Sequence, residues 1–279
     1  MRYGIVFKSD QCIGCYNCFL TCQDEFCGNA YPGYAAAAPM EGHNWMRVVE
    51  KERGKFPRVK VSYTPKTCMH CDAAPCIAAS ENGAVYRRPD GIVVIDPVKA
   101  VGQKHLVNSC PYRVIEWNEQ AQLPQKCNLC AHGLDAGEKE PRCVESCPTN
   151  AIVFGDLDDP ASKISQLLKQ GTAEPLQPEF NLKEKVLYIG LPKRFVAGTV
   201  VLKDKKECAS NATVELKGKG NRTTTTNQFG DFEFEGLEAN QSYSLKITQP
   251  GYKSKTLRCV TTSDTHVGEI YLNPQNSKG

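Results

Sequence analysis

The chain has 279 residues, 41% hydrophobic and 23% charged, with a formal net charge of +3. That length allows one or two domains, and so small a net charge gives no reason to expect nucleic acid or an anionic membrane surface as partner. No apolar run in the sequence approaches the ~20 residues that span a bilayer. The opening MRYGIVFKSD carries no long apolar stretch and no small-residue cleavage site, so no signal peptide is expected.

In chain order, the first part is cysteine-rich and punctuated by Gly and Pro. Within it Gly91 to Ile95 reads as a short strand closed by Asp96-Pro97. Residues 160–171 read as a short helix, with Ile164, Leu167 and Leu168 on one face and Gly171 as stop. Residues 172–194 contain Pro175, Pro178 and Pro192 and read as an extended crossing segment. From Phe195 the pattern alternates: Ala212 to Leu216, Asp231 to Glu235, Tyr243 to Ile247 and Val267 to Leu272 each show the period of a half-buried strand. Turn signals separate them, which predicts a small all-β sandwich. The expected division is therefore 1–195, cysteine-rich, and 196–279, all-β. The segment from Trp45 to Lys60 mixes both charge signs and reads as a solvated hairpin, with Arg47, Arg53 and Arg58 as contacts if it docks.

Thirteen of the fifteen cysteines lie between Cys12 and Cys147. A disulfide scaffold fits small secreted domains, whereas C-x-x-C spacing in a longer chain points to metal. The groups are Cys12-x2-Cys15-x2-Cys18-x3-Cys22, Cys68-x2-Cys71-x4-Cys76, Cys110-Pro, and Cys127-x2-Cys130-x12-Cys143-x3-Cys147-Pro. A [4Fe–4S] cube needs four thiolates, and in paired-cluster ferredoxins the last cysteine of such a run serves the other cube. That rule pairs Cys12, Cys15 and Cys18 with Cys147, and Cys127, Cys130 and Cys143 with Cys22. It leaves Cys68, Cys71, Cys76 and Cys110 as a third set. The fourth set is missing as a whole: its positions are Ser80, Ala100, Gln103 and Leu106. Three [4Fe–4S] clusters are thus expected, with side chains filling a vacated fourth site. Zinc also takes C-x2-C pairs but does not predict this concerted loss. His70 and His132 read as loop packing or hydrogen bonding near the sulfurs rather than as ligands, and Cys27 as a small buried residue. Cys208 and Cys259 remain a possible disulfide pair.

The stretches CMHCDAAPC, GIVVIDPVKA, CPYRVIEWN, QKCNLCAHGL and PRCVESCPTNAI resemble the ferredoxin-like subunits of the dimethyl-sulfoxide-reductase family of molybdopterin enzymes. The resemblance implies an α+β fold, with a double bacterial-ferredoxin-like cluster domain. The segment TTNQFGDFEFEGL and the later Gly251-Tyr252 resemble Ig-, transthyretin- or Cna-B-like sandwich modules. Family resemblance further implies a large catalytic partner subunit holding a bis-pterin molybdenum or tungsten cofactor, and no catalytic residue in this chain. The deleted cube and the sandwich most resemble subunits of hydroxytransferases acting on polyhydroxylated aromatics. A subunit of a catechol-type dehydroxylase or respiratory reductase, and a free-standing electron carrier, are the alternatives. By the same resemblance the deleted cube is an interior relay, which would strand the third cluster. A cytoplasmic location is expected, or export with a signal-bearing partner.

Overall fold

The computed structural model describes residues 1–275, so the last four positions of the predicted 196–279 domain lie outside the described residues. The chain forms two units, 1–50 with 63–191, and 51–62 with 192–279. Regular structure is mostly β, with five short α-helices among the described residues.

The first unit contains β1 (Tyr3–Lys8), helix α1 (Asn17–Phe26), and the bases of β2 (Arg47–Lys55) and β3 (Arg58–Lys66). Next come α2 (Pro75–Ala79), β4 (Val85–Arg87), β5 (Val93–Ile95), β6 (Glu116–Asn118) and β7 (Leu123–Gln125). Helices α3 (Ala131–Asp135) and α4 (Arg142–Glu145), β8 (Ile152–Asp156), α5 (Lys163–Leu168) and β9 (Val186–Ile189) complete it. Its one three-stranded sheet has β1 in the centre, antiparallel to β8 and parallel to β9. Ile5, Val6 and Phe7 are fully buried there, which explains the continuous apolar run of β1. Strand β5 covers less than the predicted 91–95. The predicted helix at 160–171 narrows to α5, where the Ser162 side chain accepts from the Ser165 N–H as N-cap. The segment read as merely extended after 172 supplies β9.

The second unit has eight strands: β10 (Arg194–Leu202), β11 (Glu207–Cys208), β12 (Thr213–Lys217), β13 (Arg222–Thr225), β14 (Asp231–Leu237), β15 (Ser242–Thr248), β16 (Lys255–Val260) and β17 (Thr265–Leu272). They form two four-stranded sheets, β11-β10-β14 with β17 beside β10, and β13-β12-β15-β16. One core joins them: Val196, Val200, Phe232, Phe234 and Ile270 meet Val214, Leu216, Leu245 and Ile247. In β14 the buried phenylalanines alternate with Asp231, Glu233 and Glu235, none of which is buried. Cys208 and Cys259 are both free thiols; the first is exposed on β11 and the second is buried on β16, in the other sheet.

The tip of the β2–β3 hairpin, 51–62, groups with this second unit, whereas a linear division at 195 leaves it in the first. Arg53 is the reason. Its guanidinium forks onto the Asp264 carboxylate at 3.0 and 2.9 Å, and Asp264 also accepts the Phe195 N–H at 3.0 Å. The Asp264 side chain is 3% exposed. Arg58 and Lys60 both pair with Glu233. The hairpin is therefore not simply solvated: Arg53 and Arg58 dock inside the chain, while Arg47 pairs with Glu116 in the first unit.

Burial pushes the Asp264 carboxyl up, but the Arg53 fork and the Phe195 N–H outweigh it and hold it below the ordinary carboxylate range. Its charge therefore stabilises the fold at neutral pH, and that contribution is lost as pH falls through the depressed folded value. Removing the cation from a buried pair costs about 3–5 kcal/mol; Arg194, 3.5 Å from the Asp264 carboxylate, remains as a second cation and favours the lower end of that range. Arg53→Met is expected to destabilise the second unit by about that amount at pH 7, read by denaturant-dependent hydrogen exchange of β10 and β17 amides. The deficit should shrink in acid, where Asp264 is neutral in both proteins; a pH-independent deficit would contradict the ion-pair account.

Candidate metal centre

Three Cys-x-x-Cys loops share one backbone device. The residue before the second cysteine is left-handed in each: Gly14 at φ +66°, His70 at +45° and Leu129 at +55°. This turns the loop so that both thiols face one side. Gly14 is required for a further reason, since a Cβ there would lie 2.4 Å from the Tyr63 ring. The two Cys-Pro segments repeat a second device: Arg113 and Asn150, each three residues after its cysteine, are left-handed and donate their N–H to that cysteine's carbonyl. Helix α1 presents Cys18 and Cys22 one turn apart.

Within each of the three expected sets, thiols disfavour one another's ionisation. Cys18 is raised by Cys12, Cys147 and Cys15. Cys143 is raised by Cys130, Cys127 and Cys22. Cys71 is raised by Cys68, Cys110 and Cys76. In every case burial is the larger cause. It lifts Cys18 and Cys130 to about 12 and Cys76 to about 11, and Cys22 and Cys143 well above the ordinary thiol value. At Cys127 a backbone N–H offsets part of this, Leu129 donating to its Sγ at 3.4 Å; Ala151 likewise donates to Cys147 Sγ at 3.3 Å.

Electrostatic influence also crosses from one group to the next. Cys18 of the first group acts on Cys22 and Cys143 of the second, and Cys68 of the third acts on Cys127 of the second. The third group is thus a direct neighbour of the second. This corrects the expectation of an interior gap. Ala100 and Leu106 are fully buried in a separate apolar cluster that also holds Cys76, Val85 and Ile115. Gln103 is bonded to both backbone groups of Glu81, and the Ser80 hydroxyl donates to the Ile77 carbonyl at 3.0 Å. Ala100 and Leu106 thus pack against Cys76 of the third group, and Ser80 and Gln103 are tied to the neighbouring Ile77 and Glu81 backbone.

Twelve soft thiol donors, none in a disulfide, suit iron–sulfur clusters. All four thiols of the third group line one cavity. Among the described residues, no three His, Cys, Asp or Glu side chains converge closely enough for a single metal ion, so the spread suits a polynuclear cluster better than one zinc.

The histidines are not close competitors. His132 faces Glu25 at 2.8 Å and stacks on Tyr31 at 3.6 Å. His70 is buried, and burial together with the charge of Lys126 holds its imidazole well below the ordinary value. Cys27 is half-buried rather than buried, with its Sγ 3.0 Å from Met40 Sδ. Lys126 carries a role that spacing alone does not reveal. It is 4% exposed, yet its ammonium sits on the carbonyls of Val93 and Cys127 rather than on a carboxylate. Its charge eases ionisation of Cys76, Cys110 and Cys127.

A 4Fe–4S dicluster domain model matches residues 59–157, and a carboxypeptidase regulatory-like domain model matches residues 196–272. The pyrogallol hydroxytransferase small subunit of Pelobacter acidigallici is 39% identical over 279 residues, covering 97% of this chain and 99% of that protein. Protein NrfC of Escherichia coli (strain K12) is 40% identical over 173 residues, covering 61% of this chain and 72% of NrfC. The arsenate respiratory reductase iron-sulfur subunit ArrB of Shewanella sp. (strain ANA-3) is 30% identical over 237 residues, covering 68% and 96%. With thiols grouped for iron–sulfur clusters and a relative alike along its whole length, the chain belongs to the non-catalytic iron–sulfur electron-transfer subunits of the dimethyl-sulfoxide-reductase family of molybdopterin enzymes.

Proposed function

We propose that this chain is the small, electron-transfer subunit of a molybdopterin-dependent hydroxytransferase acting on polyhydroxylated aromatics. Full-length similarity to the pyrogallol hydroxytransferase small subunit carries this reading, because it spans both units, whereas the match to NrfC covers 61% of the chain. The cofactors would be three [4Fe–4S] clusters, held by Cys12, Cys15, Cys18 and Cys147; by Cys22, Cys127, Cys130 and Cys143; and by Cys68, Cys71, Cys76 and Cys110. A large partner subunit would hold the bis-pterin molybdenum or tungsten. A bound cluster supplies one-electron transfer; this chain's residues bury it, donate N–H groups to its thiolates and keep water out.

The first group lies at the surface. Cys15 is exposed, and Ile13 and Leu20 beside it are 61% and 57% exposed. That apolar edge is where we place the catalytic subunit. The far end of the line is capped by Ser80, Ala100, Gln103 and Leu106, where a fourth cluster would continue it. A line without its outer member suits a redox-neutral hydroxyl transfer, which neither imports nor exports net electrons. The respiratory-reductase reading would instead need an exit through that capped end.

Purified anaerobically, the chain should contain about twelve irons, four per cube. Cys110→Ala should lower that by about four and leave the other two clusters' electron paramagnetic resonance (EPR) signals intact; equal loss from all three would contradict the ligand sets. In the assembled enzyme, rapid freezing after a reducing aromatic substrate should show all three clusters reduced in one kinetic phase. A lagging Cys68 cluster would contradict its direct contact with the second group.

A further inference from the structure

We propose that the His70 imidazole donates a hydrogen bond from Nε2 to a sulfur of the cluster held by Cys68, Cys71, Cys76 and Cys110, raising its reduction potential. This rests on the ligand set proposed above. The His70 residue is 1% exposed. Its Nδ1 accepts the Val93 N–H at 3.1 Å. A neutral imidazole has one accepting nitrogen and one N–H, so the hydrogen resides on Nε2. That atom is buried and has no partner among the described residues. Folded proteins seldom leave a buried N–H unpaired, because the lost hydration is not replaced.

The same ring lines the cavity with all four cysteines of the third group. No Asp, Glu, Asn or Gln lines it, and the Tyr112 hydroxyl there is committed to Glu184. Sulfur is the acceptor such a cavity offers. The other two loops hold no equivalent donor: Gly14 and Leu129 occupy the left-handed position that His70 takes in this loop. The contact is therefore particular to the third cluster. Reduction adds negative charge to the cluster, so an N–H donor stabilises the reduced form more than the oxidised one.

The decisive experiment is an EPR-monitored redox titration of the anaerobically purified full chain, as wild type and His70→Leu. Leucine already occupies the matching left-handed position at Leu129, so the loop backbone accommodates it. The cluster whose signal vanishes in Cys110→Ala should become about tenfold harder to reduce in His70→Leu, which is about 59 mV for one electron. His70→Asn, which tolerates the left-handed backbone and keeps an N–H, should recover part of the shift. In wild type labelled with 15N-histidine, pulsed EPR of that reduced cluster should show one weak 15N coupling that is absent from His70→Leu. If His70→Leu fails to assemble the cluster, the wild-type coupling decides alone, and its absence overturns the inference. An unchanged potential in a fully loaded His70→Leu protein also overturns it, leaving the ligand set standing. If no cluster signal depends on Cys110, the ligand set fails and the inference fails with it.

Discussion

The cost of burying sulfur charge is the constraint on which the first unit depends. Of the twelve grouped thiols, six are buried outright and only Cys15 is exposed. Burial disfavours ionisation of several of them, and cluster binding must displace their protons. Assembly of the clusters and completion of the fold are thereby one process. The helices around the thiols are five to ten residues long or shorter, too short to be stable alone. Much of what holds these loops is left-handed turns, N–H donors to sulfur and the three-stranded sheet centred on β1. Lys126 meets the same constraint from the other side, as a buried cation beside Cys76, Cys110 and Cys127.

The second unit obeys a different rule. Its two sheets bury their own apolar faces, and its strands need no metal. What it does need is Arg53, because Asp264 is buried with its charge. The two residues are 211 positions apart, and the contact places a piece of the hairpin within the all-β unit. Nothing in the alternating pattern of residues 196–272 announces that requirement.

Legibility followed locality. The spacing of the cysteines says which thiols of one short loop can face the same way, because three-residue separations leave such a loop little freedom; the ligands drawn from distant segments, Cys147, Cys22 and Cys110, follow only from the paired-cluster rule. Spacing does not say which groups adjoin. Cys68 acts electrostatically on Cys127, and Lys126 lines the same cavity as Cys68, which is at odds with an interior gap. The alternating strands of the second unit were readable because β-structure with one wet face writes its period into the residues. The left-handed turn at Leu129 was not readable, since leucine seldom adopts positive φ, whereas histidine is among the residue types that do so more often. For His70 the sequence left loop packing and hydrogen bonding near sulfur both open, because its partner Val93 is 23 residues away. Cys27 and the Cys208–Cys259 pair went astray because a lone cysteine carries no spacing signal.

An end-capped line of three clusters is the central claim, and it depends on where iron lies. Anomalous diffraction at the iron edge from anaerobic crystals of the complex measures that directly. The account predicts three cubes at the three cysteine groups, in the order first, second, third, with side-chain density and no iron at Ser80, Ala100, Gln103 and Leu106. A fourth iron site there, a cube drawing thiolates from two of the groups in another combination, or zinc in place of a cube would contradict it.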